Sequence, residues 1–258
     1  LVQLSVAKLH DSAEAVRADA QGSSAIRESA EEVLDYSGRG HAAWPFDGSV
    51  FYPKLATLDL SHNQLRQVPD DAFQRMPNLA VLRLNDNLLE AFPKAALAGL
   101  GRLMMLDMGR NAIREIPGGA LAGNARLVTL SLSRNRLTRL PGLTTWLPRN
   151  GSLDNLDVSG NQISQLGRGI GGVGPLQNPG GNLDWLDLSS NKLTHLDRDL
   201  GDITDLDNML LVGNPLQCSV SISGGCPCNC RIDVGEVNPD DGPVVVAPRN
   251  WCSLPTCP

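Results

Sequence analysis

A nine-residue signature of leucines closed by an asparagine recurs along the chain and limits its fold more than any other feature. Leu55-Ala-Thr-Leu58-Asp-Leu60-Ser-His-Asn63 returns at Leu79 to Asn87, Leu103 to Asn111, Leu127 to Asn135, Leu153 to Asn161 and Leu183 to Asn191. Each copy reads L-x-x-L-x-L-x-x-N or a close variant, and a weaker copy runs from Leu206 through Leu211 to Asn214. Successive asparagines lie 24, 24, 24, 26, 30 and 23 residues apart. Such a period marks a stacked array in which each copy is one supersecondary unit. Apolar residues at the fourth and sixth positions make a short strand with one buried face. One copy cannot bury its own leucines, but neighbours stacked about 4.8 Å apart share a core. The asparagine amide both donates and accepts, so a column of asparagines satisfies backbone groups of adjoining turns. The expected fold is a curved solenoid of α/β type, with a parallel β-sheet on its concave face and an irregular or 3-10 convex side.

The register extends upstream. Val33-Leu34-Asp35-Tyr36-Ser37 lies 24 residues before Thr57-Leu58-Asp59-Leu60-Ser61, which makes residues 31–54 a degenerate repeat. Residues 1–30 form an N-terminal segment, a further degenerate repeat or a cap. Leu1, Leu4 and Val6 have strand spacing there, and Ala13, Val16 and Ala20 have helical spacing. The solenoid is expected to cover 31–214. All six cysteines fall in the remaining 215–258: Cys218, Cys226, Cys228, Cys230, Cys252 and Cys257. An even, compact cluster reads as a disulfide-stapled module made in an oxidising compartment, with the pairing open. Zinc at Cys226-Pro-Cys228-Asn-Cys230 is the competing reading, disfavoured because the usual C-x2-C pairs are missing.

The stretch from Leu55 to Asn78, with Val68-Pro69 and Phe73 as convex-side landmarks, resembles the 24-residue repeat of extracellular leucine-rich-repeat proteins. Toll-like receptor ectodomains, Slit-like proteins and small leucine-rich proteoglycans share that repeat. Asn214-Pro-Leu-Gln-Cys218 is similar to the opening of their cysteine-rich C-terminal cap. The resemblance implies a leucine-rich-repeat horseshoe, secreted or at the cell surface, that binds a protein or glycan ligand on its concave face. The cap departs from the pattern. Seven residues separate Cys218 from Cys226, where family caps place the second cysteine two residues after the first, so the family's pairing does not transfer. Trp251 beside Cys252 is assigned to the cap's small core.

The net charge of -6 disfavours the broad basic surface of a sequence-independent nucleic-acid binder. No apolar run reaches the roughly 18 residues of a membrane span. Leu1 to Val6 has no signal-peptide pattern, and a chain that opens on leucine is read as a mature or excised piece. The four histidines, His10, His41, His62 and His195, occupy unrelated repeat positions. No Ser/His/Asp order, paired carboxylate or metal-ligand spacing stands out, so neither an enzyme nor a cofactor or metal is expected. Gly167-x-Gly169-x-x-Gly172 has the letters of a dinucleotide fingerprint, but Gly174-Pro175 and Asn178-Pro179 stop the helix that fingerprint must open. Asn150-Gly151-Ser152, in the overlong fourth repeat, is a glycosylation sequon and makes Asn150 a modification candidate.

Positions three, five, seven and eight of each copy face outward along the concave sheet. The fifth-position column reads Asp35, Asp59, Arg83, Asp107, Ser131, Asp157, Asp187 and Leu210, either a solvated face or an acidic stripe for a basic partner. A calcium ion between Asp157 and Asp187 would need about six oxygens or more, which two carboxylates do not supply. The third-position column runs Thr57, Val81, Met105, Thr129, Asn155 and Trp185, with Trp185 either an aromatic anchor or a side chain packed beneath the glycine-rich loop of the preceding repeat, and Met105 a weaker case of the same kind. Arg110 and Arg134, at the eighth position of adjacent copies, form a small basic patch with Arg114 and Arg136 nearby, read as solvated charge before a binding feature. The candidate ligand-binding set is therefore Asp59, Arg83, Met105, Asp107, Arg110, Arg134, Asp157, Trp185 and Asp187. The expected function is non-catalytic binding of a protein or glycan outside the cell. The alternative is a structural subunit of a cell wall, matrix or extracellular filament, in which Leu210 and Val212 would begin an apolar patch against other subunits.

Overall fold

A computed structural model describes residues 27–148, 151–166, 183–194 and 208–216. The described strands are β1 (Arg27–Glu28), β2 (Val33–Asp35), β3 (Val50–Phe51), β4 (Thr57–Asp59), β5 (Val81–Arg83) and β6 (Met105–Asp107), followed by β7 (Thr129–Ser131), β8 (Arg139–Leu140), β9 (Asn155–Asp157), β10 (Gln165–Leu166), β11 (Trp185–Asp187) and β12 (Asn208–Leu210). Eight of them build one parallel sheet in the order β12-β11-β9-β7-β6-β5-β4-β2. Every pairing keeps the sequence register, so Leu58, Leu82, Leu106, Leu130, Leu156 and Leu186 align in one row. The fold is the expected parallel-sheet solenoid.

The eight strands of the main sheet are three residues long for a backbone reason. The eighth position of each copy, Gly38, His62, Asp86, Arg110, Arg134, Gly160, Ser190 and Gly213, has a φ between 52° and 76°. This left-handed conformation turns the chain out of the sheet three residues after the strand ends. The ladder nevertheless continues through the turn: the sixth-position N–H of Leu84 donates to Asp107 O at 2.7 Å, and the eighth-position N–H of Asp86 donates to Gly109 O at 3.0 Å.

Inward residues of the strands are buried and their outward neighbours half-buried in β4, β5, β6, β7, β9 and β11. Beside this leucine core runs the asparagine ladder. Asn135 is representative: its Nδ2 donates to Met108 O of the preceding turn at 2.9 Å and to Leu132 O of its own turn at 3.0 Å. Its Oδ1 accepts the Ile113 N–H at 3.0 Å. Asn63, Asn87, Asn111, Asn161, Asn191 and Asn214 repeat the same three links.

The described return segments are mostly irregular, as expected. A single α-helical turn, α1 (Lys94–Leu97), and a 3-10 turn at Leu143–Thr145 stand among irregular stretches. Two parallel strand pairs, β1 with β3 and β8 with β10, lie off the main sheet and add short ladders to the expected irregular or 3-10 convex side. The turn that carries β2 fills its interior with rings in place of leucines. Tyr36, Trp44, Phe46 and Tyr52 pack at centroid distances of 5.2 to 5.9 Å, and Trp44 meets Phe73 of the next turn edge-on at 5.4 Å. Larger rings close the same volume with fewer residues, which is why the leucine pattern fades there.

Candidate binding surface

The outward positions of the sheet sort into two bands. Register places Val33, Thr57, Val81, Met105 and Thr129 side by side, followed by Asn155 and Trp185. Ala56, Ala80, Met104 and Val128 stand one residue before these, and their carbonyls and N–H groups join the ladder. Val33, Val81 and Met105 give this band its apolar members, alternating with Thr57 and Thr129, and at its margins Val33 is 46% and Met104 50% exposed. Two residues along each strand runs the second band: Asp35, Asp59, Arg83, Asp107, Ser131, Asp157 and Asp187.

The aspartates of that band have a local task. Asp157 Oδ1 accepts the Ser159 N–H at 2.9 Å and the Ser159 hydroxyl at 2.6 Å. Asp35 with Ser37 and Asp59 with Ser61 do the same, and Asp187 accepts the Ser189 N–H at 2.8 Å. Each carboxylate thus closes an Asx turn that satisfies the second N–H past the strand, the first being taken by the neighbouring strand. The second oxygen of Asp59 meets Arg83 Nη1 at 3.4 Å, and that of Asp157 accepts the Ser131 hydroxyl at 3.5 Å. Donation by the Ser37 hydroxyl, then by its N–H, holds the Asp35 carboxyl below the usual range. Asp107 behaves oppositely. Its turn partner is Gly109, which offers an N–H at 2.9 Å and no hydroxyl, and burial pushes the Asp107 carboxyl up.

Of the nine candidate residues, Asp59, Arg83 and Asp107 lie in adjoining strands, as do Asp157 and Asp187. Met105 and Trp185 are half-buried and separated by Thr129 and Asn155, three strand spacings or roughly 14 Å. They stand apart on the sheet and do not form one cluster. Arg110 and Arg134 are exposed beside the sheet, and Arg110 Nε sits 3.8 Å from Asp86 Oδ1. Asp86 also lies 3.8 Å from His62 Nδ1, a link the sequence analysis missed although the common eighth position of the three residues implied it. Leu210 is 5% exposed and Leu211 beside it is equally buried, so the expected apolar patch at Leu210 and Val212 is corrected: only Val212 retains intermediate exposure.

Asn150 and the cysteines Cys218, Cys226, Cys228, Cys230, Cys252 and Cys257 lie outside the described residues, as do residues 1–26 and the glycine-rich stretch 167–182. Among the described residues no group of His, Cys, Asp and Glu is disposed to hold a metal ion, and no helix is long and apolar enough to cross a membrane.

The leucine rich repeat family pattern matches residues 53–113, 78–137 and 102–163. Among solved structures, the crystal structure of a TLR13-ssRNA13 complex is similar to this chain, with a TM-score of 0.58 and 25% sequence identity over 67% of this chain. The match covers 25% of that chain, so the present sequence spans about a quarter of its length. No curated protein matches the chain. Residues 53–163 thus carry leucine rich repeats, and the register-true sheet and the asparagine ladder continue the same solenoid architecture on either side of them.

Proposed function

We propose that this chain is a non-catalytic binding module outside the cell, secreted or on the cell surface, that holds a protein partner on the concave face of its sheet. The two-band surface carries the reading. A band that carries Val33, Val81 and Met105 between threonines, flanked by a row of carboxylates, has the layout of a protein interface, with an apolar middle and a polar margin. The carboxylate row favours a partner with basic groups at that margin. The cysteine cluster and the Asn150 sequon support the extracellular setting.

The TLR13 structure is a complex with single-stranded RNA. For the present chain a net charge of -6 and a carboxylate row along the concave sheet favour a protein over nucleic acid. A structural subunit would present large apolar patches away from the concave face. Among the described residues the large exposed apolar side chains are Val33, Leu88 and Met104, and two of these border the concave band. The binding module is therefore favoured over the structural subunit.

The test places charge in the apolar band. In the full chain, Val81→Glu with Met105→Glu is expected to abolish capture of the partner from the native source, while Ala95→Glu on α1 leaves it intact. Circular dichroism melts establish that both variants fold. Capture that survives the paired change but fails with Ala95→Glu would move the binding face off the sheet.

A further inference from the structure

A second surface lies beyond the asparagine ladder, on the flank of the solenoid. Arg114, Glu115, Arg136, Thr138, Arg139 and Gln162 line an open groove of about 510 Å³. Its layout follows from the repeat. Arg136 and Gln162 each follow a ladder asparagine, and their N–H groups donate to Ile113 O and Leu137 O of the preceding turns at 2.8 Å. Arg114 and Thr138 occupy one matching position of successive copies, Glu115 and Arg139 the next. Pairing of β8 with β10 fixes the backbone at Arg139 opposite Gln165.

The same column shows why charge is left over here. One turn earlier, Arg66 meets Glu90 at 3.8 Å, so that pair is neutral. At the groove the column continues as Arg114 and then Thr138, with no further acid, and Arg136 and Arg139 join from the adjoining positions. The ion pairs among the described residues are His62–Asp86, Arg66–Glu90, Arg83–Asp59 and Arg110–Asp86, and none includes a groove arginine. Three guanidinium groups facing one carboxylate give the groove an excess of positive charge on a chain whose net charge is -6. Such a focus draws an anionic ligand to one place.

The lining also narrows the ligand. Guanidinium forks accept carboxylates in bidentate fashion. No aromatic ring lines the groove, so nucleobases have no stacking platform there. Glu115 repels a dense polyanion but accepts peptide N–H groups, while Thr138 and Gln162 offer both donors and acceptors. From this juxtaposition we propose that the groove is a second binding site, separate from the concave face, which takes an acidic peptide segment of a protein partner. Its carboxylates seat on Arg114, Arg136 and Arg139.

Fluorescence anisotropy of the full chain with a labelled hexaglutamate peptide tests this, with hexaglutamine as the neutral comparison. Saturable binding of hexaglutamate alone is expected, weakening as salt rises. Arg136→Gln with Arg139→Gln should lower that affinity about tenfold or more, and Arg114→Gln alone by a smaller factor, because each removes a charge-assisted contact. Val81→Glu with Met105→Glu should leave it unchanged, which separates this site from the concave one. Equal binding of the two peptides, or hexaglutamate binding indifferent to the arginine changes, overturns the proposal. So does tighter groove-dependent binding of single-stranded RNA or a sulfated oligosaccharide. Concentration-dependent self-association that the paired arginine change abolishes would name a second copy as the occupant and overturn it as well.

Discussion

Asn135 is 6% exposed and its single amide touches four backbone groups: the carbonyls of Met108, Leu132 and Ser133, and the N–H of Ile113. Replacement by alanine leaves these buried groups without partners, each worth about 1 kcal/mol or more. Asn135→Ala is expected to lower unfolding free energy by roughly 2–4 kcal/mol in urea titrations. Asn135→Asp should cost more at neutral pH, because a carboxylate cannot donate to Met108 O and Leu132 O. The asparagines were legible because spacing alone marks them. The aspartates of the fifth position were legible as a column but not as turn closures, although the recurring Asp-x-Ser spacing of Asp35-Tyr-Ser37, Asp59-Leu-Ser61 and Asp157-Val-Ser159 carried that signal.

The two shifted carboxyls give opposite pH dependences. Asp35 is lowered, so its contribution is present above its ordinary value of 3.8 and is lost as pH falls through its folded value. Asp107 is raised, so its contribution is present below 3.8 and is lost as pH rises through its folded value. Asp107→Asn removes the buried charge while keeping an acceptor for the Gly109 N–H. It is expected to stabilise the protein at pH 7, with the gain shrinking toward pH 3. Denaturant midpoints that fall at pH 7 on this substitution would show that burial is not the dominant influence on Asp107.

At the scale of the element, the left-handed eighth position decides where each strand ends. A Cβ at Gly160, where φ is 65°, would lie 3.0 Å from Arg134 Cγ and 3.5 Å from Arg134 N. Gly160→Ala is therefore expected to cost about 1–2 kcal/mol, since alanine is strained there and crowds its neighbour. Gly123 poses a different problem: its φ is ordinary, but a Cβ would collide with the Ala98 carbonyl oxygen of the turn below. Gly123→Ala is expected to lower the melting temperature through a backbone shift worth about 1–3 kcal/mol. The strand register was readable because a fixed 24-residue step fixes every pairing from Leu58 to Leu130. The pairs β1–β3 and β8–β10 were not readable. A two-residue strand contributes one residue per face, too few to leave a periodic trace.

At the scale of the molecule, each turn gains its stability from the turns beside it. Leu130 is fully buried in the central strand β7 between Leu106 and Leu156. Leu130→Ala is expected to cost about 2–5 kcal/mol, detectable as loss of amide protection in both adjoining turns. The fold was legible throughout the regular copies because one signature recurs, and it faded where rings replace leucines around Tyr36 and Trp44. The binding surface was legible in part. Third- and fifth-position columns could be read from the sequence, but exposure could not: Leu210 belongs to an outward column and is nevertheless buried. The flank groove escaped as a unit because Arg114, Arg136 and Arg139 sit at three different repeat positions, and only the register of successive turns brings them together. A protein partner on the concave face is the central claim. Its most direct test is gentle cross-linking of the protein from its native source, with linked peptides identified by mass spectrometry. Links from one partner confined to the strands around Val81, Met105 and Thr129 are predicted. Links spread over every face, to copies of this chain or to matrix proteins, would contradict the claim and make the chain a structural subunit.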